Sequence, residues 1–417
     1  RKVGKEDLGY WRAPNPWTHL APYSPPGEFL GKDGWKLLPE AELNRAEHEV
    51  EVRRGEVVSE LFMVRNNTEK PVSFEPKVTA EIPVRVRVVS YILPANGVWS
   101  PMLLMNRRRV TAPAGQNLGL WLTLDARNAA DGRTYPVKLE FAGRTVTWNV
   151  KVEGSMDGVP EPWMYPYAGP YPRESSWEAF KDVGFNMIRF NRVPKRYLEK
   201  YGIRMLVGMP GAHVGVSVQE VRGLIASAAK LGLEPEDYCW YLIDEPGPES
   251  IPTWMDMAKT IKTAEPRCKL WCNLGFFAPA AKWWDVYFPF MDMWDIGCPF
   301  RFHFTEKPEV AGYVKKLGEL KGVKLIYDTL DIGSNEKRLD APQDQINIAK
   351  LAIKWKRDGW AVFSFCFGSP WDNAYEGNQD TAVSIYPAAY GRTIMTRNTE
   401  AAREGMRLWR RARQEGK

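Results

Sequence analysis

Two adjacent carboxylates, Asp244 and Glu245, are the residues of this 417-residue chain whose types and position best suit chemistry. They follow the apolar run Cys-Trp-Tyr-Leu-Ile at 239–243, which predicts a buried strand, and Pro246 comes directly after them. Carboxylates at the end of a buried strand are costly to desolvate unless they meet water, hydrogen bonds or a cation. Because carboxylates in a cleft serve general acid/base catalysis, this pair is the first candidate for a catalytic site.

The second half of the chain supplies the elements that must position this pair. Predicted strands alternate with predicted helices, and the strands lie at 164–168, 186–191, 203–208, 239–243, 269–274, 294–299, 323–328 and 361–367. Ser217 and Glu220 form a capping-box pattern flanked by Val216 and Val221, which predicts one helix start. Eight such strands match a (β/α)8 TIM barrel, and a doubly wound open sheet is the structural alternative.

Strand counting places Asp244 and Glu245 at the carboxyl end of the fourth strand, where barrel enzymes carry their active sites. Pro246 predicts an extended backbone at Glu245. Adjacent strand residues point to opposite faces, so the chain must bend for both carboxylates to reach one pocket. A purely structural role remains open, as a helix cap or as a strand end paired with Arg189, although Ser250 is better placed to cap the next helix.

Polar or aromatic side chains also follow the other predicted strands. We take these as candidate substrate-binding residues, each of which also fits a supporting structural role: Asn191, His213, Asn273, Tyr327, Asp328 and Trp371. Asp328 has a further possible role, because a carboxylate across the barrel from Glu245 fits the nucleophile of a retaining glycosidase.

The first half of the chain has the pattern of an all-β domain. Apolar residues alternate with polar ones at 137–141 and 146–152, and the two runs are joined through Ala142-Gly143, a hairpin signal. A proline-rich connection follows near 154–173. We therefore predict an α/β plus all-β chain, with an N-terminal β-sandwich and extended leading segment at 1–155 and a catalytic (β/α)8 barrel at 156–417.

Composition excludes several classes of function. The net charge of +6 comes from 57 basic and 51 acidic residues, and the short basic runs at 107–109 and 410–411 favour a solvated surface over nucleic-acid binding. The five cysteines are scattered through apolar runs and are expected to be buried free thiols. The four histidines form no metal-binding motif, so we expect neither a metal nor a cofactor.

The sequence also bears on location. No apolar stretch is long enough to span a membrane. The chain begins at Arg1 and not at Met, which is consistent with removal of a leader or a tag. We expect a secreted or periplasmic location with any leader removed, while the sequence leaves a cytoplasmic location open.

Three segments together resemble a known family. They are the Asp-Glu-Pro at 244–246 after an aromatic-rich fourth strand, the run 380–387 that ends in Tyr-Pro, and Arg397 followed by Glu-Ala-Ala-Arg-Glu-Gly-Met at 400–406. The chain resembles glycoside hydrolase family 123 and its uncharacterised glycosidase-like relatives in these segments and in its order of a sandwich before a barrel.

The resemblance implies a β-N-acetylgalactosaminidase that acts on an oligosaccharide or polysaccharide by substrate-assisted catalysis. Asp244 would orient the 2-acetamido group of the sugar, Glu245 would protonate the leaving oxygen and then activate water, and Tyr327 would be placed to bond the acetamido oxygen. Two alternatives stay open: a retaining glycosidase with Asp328 as nucleophile on a sugar without the acetamido group, and a non-catalytic glycan-binding protein.

Overall fold

The computed structural model describes residues 6–20, 42–92, 100–166, 174–189, 192–209, 214–275, 278–328, 341–362, 385–387 and 393–417. The chain divides into two compact units. The first comprises Arg1–Pro160, Asp331–Ile346 and Gly368–Gly416, and the second comprises Glu161–Leu330 and Asn347–Phe367, with Lys417.

The first unit begins with eleven strands among the described residues: β1 Leu8–Arg12, β2 Glu47–Arg54, β3 Val57–Asn66, β4 Val72–Phe74, β5 Lys77–Thr79, β6 Val84–Ile92, β7 Ser100–Met105, β8 Val110–Ala112, β9 Asn117–Asp125, β10 Thr134–Phe141 and β11 Arg144–Ser155. It also takes in the C-terminal strands β21 Ile385–Pro387 and β22 Thr393–Thr396 and the last helix, α8 Arg397–Gln414.

Two sheets of this unit share one hydrophobic core. The larger has the strand order β1-β3-β9-β6-β7-β22-β21, and the smaller has the order β2-β11-β10-β5. Phe62 and Leu120 of the larger sheet lie in the same core cluster as Val137 and Trp148 of the smaller. Along β10 buried and exposed residues alternate strictly, because one face of this strand covers the core and the other faces water.

The predicted hairpin is confirmed. Strands β10 and β11 pair antiparallel from Thr134 opposite Lys151 to Phe141 opposite Arg144. Ala142 and Gly143 connect them with φ values of 46° and 74°. Two successive left-handed residues give the turn a twist that matches the twist of the flanking strands.

The C-terminal segment lies in the first unit, which differs from the predicted assignment of all residues after 155 to the barrel. Strand β22 pairs with β7, and α8 packs against β3. Glu400 of α8 is buried and accepts hydrogen bonds from Ser59 at 2.9 Å and from Arg87. A strand followed by a helix has the sequence pattern of a last βα unit, but these buried polar contacts hold it to the sandwich sheet. The boundary near 155 itself stays a prediction.

The second unit alternates strands and helices, as predicted. Its described elements are β12 Trp163–Tyr165, α1 Glu174–Val183, β13 Met187–Arg189, α2 Lys195–Tyr201, β14 Met205–Val207, α3 Val218–Ala229, β15 Tyr238–Tyr241, α4 Ile251–Ala264, β16 Lys269–Cys272, α5 Trp284–Met291, β17 Ile296–Gly297, α6 Ala311–Gly318, β18 Val323–Lys324, β19 Tyr327–Asp328, α7 Ala341–Lys354, which begins in the first unit, and β20 Gly359–Val362.

The strands of this unit are parallel to their neighbours. Six of them form a half-barrel sheet in the order β13-β14-β15-β16-β17-β18, and three form a second sheet in the order β12-β20-β19. Parallel strands joined by helices place all their carboxyl ends at one edge of a sheet. Strand β15 lies inside the half-barrel sheet, so the segment that follows it emerges between the ends of β14 and β16.

Two further expectations can be compared with the structure. Four cysteines, namely Cys239, Cys268, Cys272 and Cys298, are buried free thiols as expected, while Cys366 lies outside the described residues. No helix in the described part of the chain is both long and apolar enough to cross a membrane.

Helix α3 starts at the capping box that the sequence predicts. The Ser217 hydroxyl accepts a hydrogen bond from the Glu220 amide at 3.2 Å, and the Glu220 carboxylate accepts one from the Ser217 amide at 2.7 Å. Val216 and Val221, the pair that flanks the cap, are both buried.

Removing this cap gives the first prediction. Replacing Ser217 by Ala leaves the Glu220 amide without its acceptor, so the free energy of unfolding should fall by about 1 kcal/mol. Urea unfolding measures the change. The matched control is Ser217→Thr, which keeps the hydroxyl and should stay close to the wild type. Equal stability of the Ala and Thr variants would contradict the role of the cap.

Candidate active site

The carboxylate pair lies just beyond the carboxyl end of β15. Trp240 is buried, and the strand ends at Tyr241, two residues before the predicted end. From residue 242 the chain is irregular, Asp244 is exposed and Glu245 is half-buried. The pair therefore sits in a turn that leaves the sheet edge, where one carboxylate meets solvent and the other is partly withdrawn from it.

The backbone at Glu245 is left-handed and not extended, so the prediction from Pro246 was wrong. Its φ is 46°, a value that non-glycine residues rarely adopt. The residue before a proline is excluded mainly from the right-handed helical region, which leaves this alternative when a turn requires it. Such strained residues concentrate at functional sites, because the surrounding structure has to hold them.

One side-chain amide, that of Asn273, contacts both members of the pair. Its Nδ2 donates to Oδ1 of Asp244 at 2.9 Å, and its Oδ1 accepts from the Glu245 amide at 3.4 Å. The Tyr241 hydroxyl donates to the same Oδ1 of Asp244. Within the part of the chain that the structure describes, Oδ2 of Asp244 accepts no hydrogen bond. The carboxylate is thus fixed through one oxygen, and the other has no hydrogen-bond partner among the described residues.

Asn273 follows β16, the strand next to β15, and is buried. The parallel pairing of these strands, with Tyr241 opposite Trp271, brings the Asn273 side chain beside the turn that holds Asp244 and Glu245. Asn273 was predicted to bind substrate from its position after a strand, and that role stays a prediction. The structure gives it a supporting contact with both carboxylate residues.

The Glu245 side chain lies against Gly275. A Cβ atom added at residue 275 would stand 3.3 Å from Oε2 of Glu245, so a larger residue there would press on the carboxyl group. Burial raises the pKa of Glu245 above its ordinary value, and the negative charge of Asp244 raises it further. A raised pKa keeps the carboxyl protonated to higher pH, as a general acid requires.

Two candidate residues from the seventh predicted strand, Tyr327 and Asp328, form β19 and are buried. Arg301 donates from Nη1 to Oδ2 of Asp328 at 3.0 Å. Tyr327 packs edge-on against Phe300, with ring centroids 5.3 Å apart. Asp328 is only 2% exposed, and its carboxylate forms an ion pair with Arg301.

The remaining sequence candidates are Asn191, His213 and Trp371, which lie outside the described residues. Among the described residues, neither Asp244 nor Glu245 forms an ion pair, with Arg189 or with any other cation, and no group of three or more His, Cys, Asp or Glu side chains is arranged to hold a metal ion.

Sequence reasoning missed Tyr241 and Arg301 as parts of this region. Tyr241 was placed in the apolar run, although its spacing of three residues from Asp244 gave a possible signal. Arg301 follows the sixth strand and had no signal beyond its rim position.

Comparison with known proteins shows a similar fold in one solved structure. No family model and no curated protein matches the chain. Among solved structures, it is similar to a family 123 glycoside hydrolase from Clostridium perfringens, described for glycolipid glycan hydrolysis, with a TM-score of 0.71 and 12% identity over 98% of this chain and 88% of that one. At this identity the likeness establishes the fold.

Two other solved structures are much less similar. One is a GH2 β-galacturonidase from Eisenbergiella tayi, with a TM-score of 0.37 and 13% identity over 96% of this chain and 72% of that chain. The other is a GH5 xyloglucanase from Bacteroides ovatus, with a TM-score of 0.28 and 8% identity over 87% of this chain and 98% of that chain. Neither adds to the argument.

The left-handed backbone at Glu245 predicts an unusual order of stability. Glu245→Gly and Glu245→Ala both remove the carboxyl group, but only glycine adopts a φ of 46° without strain. The Gly variant should therefore be more stable than the Ala variant by about 1 kcal/mol in urea unfolding.

The control is Glu249, an exposed residue of the same loop whose φ is not positive. There the order should reverse, because glycine costs backbone entropy at an ordinary position. The same order at both positions would argue against strain at Glu245.

Proposed function

We propose that the protein is a glycoside hydrolase that cleaves a β-linked N-acetylhexosaminide by substrate-assisted, retaining catalysis. Glu245 is its acid/base and Asp244 orients the acetamido group. The observation that carries the proposal is the division within one turn between a half-buried carboxyl with a raised pKa and an exposed carboxylate anchored through a single oxygen. The similar fold of the Clostridium perfringens hydrolase supports it.

In this proposal the two parallel sheets of the second unit close into one (β/α)8 barrel. A parallel bridge between Phe300 and Tyr327 supports the junction after β17. On the other side, the Asn186 amide donates to the Met164 carbonyl at 3.3 Å, which supports a junction between β12 and β13. Closure would put Asp244, Glu245 and Asp328 on one catalytic rim.

The first chemical step breaks the glycosidic bond. The carbonyl oxygen of the 2-acetamido group attacks the anomeric carbon, and the Glu245 carboxyl gives its proton to the departing glycosidic oxygen. The products are a cyclic oxazolinium intermediate, a released alcohol and the Glu245 carboxylate. A raised pKa serves this step, because the acid must still hold its proton near neutral pH.

The second step reverses these roles. The Glu245 carboxylate takes a proton from water as the water oxygen attacks the anomeric carbon, which opens the ring and restores the acetamido group. Oδ2 of Asp244 accepts a hydrogen bond from the acetamido N–H throughout and stabilises the positive charge that develops on this nitrogen. The bonds from Asn273 and Tyr241 to Oδ1 fix the carboxylate for this task.

The alternative protein nucleophile, Asp328, is less favoured by its surroundings. A retaining enzyme with a carboxylate nucleophile needs that group open towards the sugar and about 5–5.5 Å from the acid/base carboxyl. Asp328 is instead buried and bonded to Arg301. The galacto configuration of the sugar, the linkage and the predicted export of the protein stay predictions.

Replacing Glu245 by Gln is the direct test of the proposed activity. With 4-nitrophenyl N-acetyl-β-galactosaminide or another aryl N-acetylhexosaminide, kcat should fall by about 10²–10⁴-fold while the fold persists. The loss should be smaller for a 2,4-dinitrophenyl leaving group, which departs without protonation. The control Glu249→Gln changes a neighbouring exposed carboxylate and should leave turnover unaffected.

The outcomes separate the alternatives. Unchanged turnover in Glu245→Gln would overturn the acid/base role, and glycan binding without turnover by the wild type would favour a binding protein. Equal hydrolysis of matched substrates with and without the 2-acetamido group would replace the substrate-assisted route with a protein nucleophile.

The pH profile tests the electrostatic coupling of the pair. The charge of Asp244 raises the pKa of Glu245, so Asp244→Asn, which removes that charge, should lower it. Loss of the Glu245 proton sets the basic limb of kcat/KM, and this limb should therefore move to lower pH in the residual activity of the variant. A basic limb at the wild-type pH would show that the two carboxyl groups are not coupled.

A further inference from the structure

His303 is a fully buried histidine that the proposed chemistry does not use. It closes the short helical turn Arg301–His303 that follows β17. Its Nδ1 lies 2.8 Å from the hydroxyl oxygen of Tyr313 on α6, and its Nε2 forms a hydrogen bond with the carbonyl oxygen of Gly275. Both ring nitrogens therefore form hydrogen bonds, Nδ1 with a residue of α6 and Nε2 with the segment after β16.

The chemistry of the partners fixes the direction of both bonds. A carbonyl oxygen only accepts, so Nε2 of His303 carries the hydrogen. Burial lowers the pKa of His303 to about 4, although the bond to Gly275 opposes the shift, so the ring is neutral near pH 7. Nδ1 then accepts from Tyr313, whose pKa burial raises well above its ordinary value, so that Tyr313 remains a donor.

Gly275 connects this histidine with the carboxylate pair. The residue forms the surface on which the Glu245 side chain lies, with the added Cβ position 3.3 Å from Oε2 and 3.6 Å from Cβ of Glu245. Two residues earlier, Asn273 contacts Asp244 and Glu245. Holding the Gly275 carbonyl therefore holds a three-residue segment that contacts both carboxylate residues.

We propose that His303 is a positioning residue for catalysis, whose Nε2–H holds segment 273–275 against Glu245 and so fixes the acid/base carboxyl. This role rests on the proposed function. The series of contacts runs from Tyr313 through His303 and Gly275 to Glu245, and each link is a hydrogen bond or a packing contact. Loosening it would admit water to the Glu245 carboxyl and remove part of the desolvation that raises its pKa.

Two amide variants distinguish positioning from a merely structural role. In His303→Gln the side-chain nitrogen reaches the place of Nε2 and can still donate to Gly275. In His303→Asn the shorter amide reaches the place of Nδ1, so it meets Tyr313 but loses Gly275. Both variants lose the ring, so a structural role alone would affect them alike.

The kinetic expectation is a split between these variants. His303→Gln should keep most of kcat, whereas His303→Asn should lose about 10–100-fold in kcat with little change in KM, because a small misplacement of a catalytic group is costly. The basic limb of the pH profile should move to lower pH in the Asn variant only. Equal kcat values in the two variants, with the wild-type pH profile, would overturn the proposal.

A second readout needs no substrate. The pKa of Glu245 is measured by ¹³C carboxyl titration, with the signal assigned by its loss in Glu245→Gln. It should stay raised in His303→Gln and fall towards the ordinary value in His303→Asn, and an unchanged pKa in both would overturn the role of His303. If the wild type hydrolysed no glycoside, the proposed function would fail while this titration still decided the positioning role.

Tyr313→Phe provides a second test in case the His303→Asn variant does not fold. It removes only the hydroxyl that holds Nδ1, so the Glu245 pKa should fall in the same direction by a smaller amount. No change in that variant, with the Asn variant unfolded, would count against the proposal.

Discussion

The turn after β15 depends on one constraint: two consecutive residues of a strand point to opposite faces, yet the proposed reaction requires both carboxyl groups to act on one sugar. The structure meets the constraint by ending the strand at Tyr241 and placing Glu245 at a φ of 46°. That backbone is costly by itself, so neighbouring groups must hold it. Asn273 does so with a single amide, since its oxygen accepts from the Glu245 backbone while its nitrogen binds Asp244.

The same turn gives two chemically identical groups different environments. Glu245 packs on Gly275 and loses water, and the nearby charge of Asp244 adds to the rise in its pKa. Asp244 keeps its exposure and receives two donors on one oxygen. Pairs of carboxyl groups whose environments differ in this way are the usual basis for separate acid and stabilising roles. Packing and hydrogen bonding therefore give the two groups the different environments that the proposed function uses.

Features specified by local sequence were predicted, and features that depend on tertiary contacts were not. The Ala142-Gly143 hairpin and the Ser217 cap are encoded within a few residues, and counting strands placed Asp244 and Glu245 at a strand end. The left-handed backbone at Glu245 was missed because Pro246 restricts only its neighbour in sequence. The turn is held by Asn273, which follows the adjacent strand β16. The Arg301–Asp328 and His303–Gly275 contacts join different βα units. No local sequence pattern predicts these contacts.

The C-terminal motif that contributed to the family resemblance has a structural explanation of its own. Arg397 donates to the backbone carbonyl oxygens of Pro101 and Trp17. Burial alone would raise the pKa of Glu400, but Arg403 and Arg87 hold it below its ordinary value. The ion pair with Arg87 of β6 fixes α8 on the sheet, while the pair with Arg403 lies within the helix. Breaking such a buried pair is strongly destabilising, so these contacts give the motif a role in the stability of the first unit. In the proposed function Asp244 and Glu245 perform the chemistry, so a chain that kept Arg397 and Glu400 but lost the carboxylate pair would share the architecture without the proposed activity.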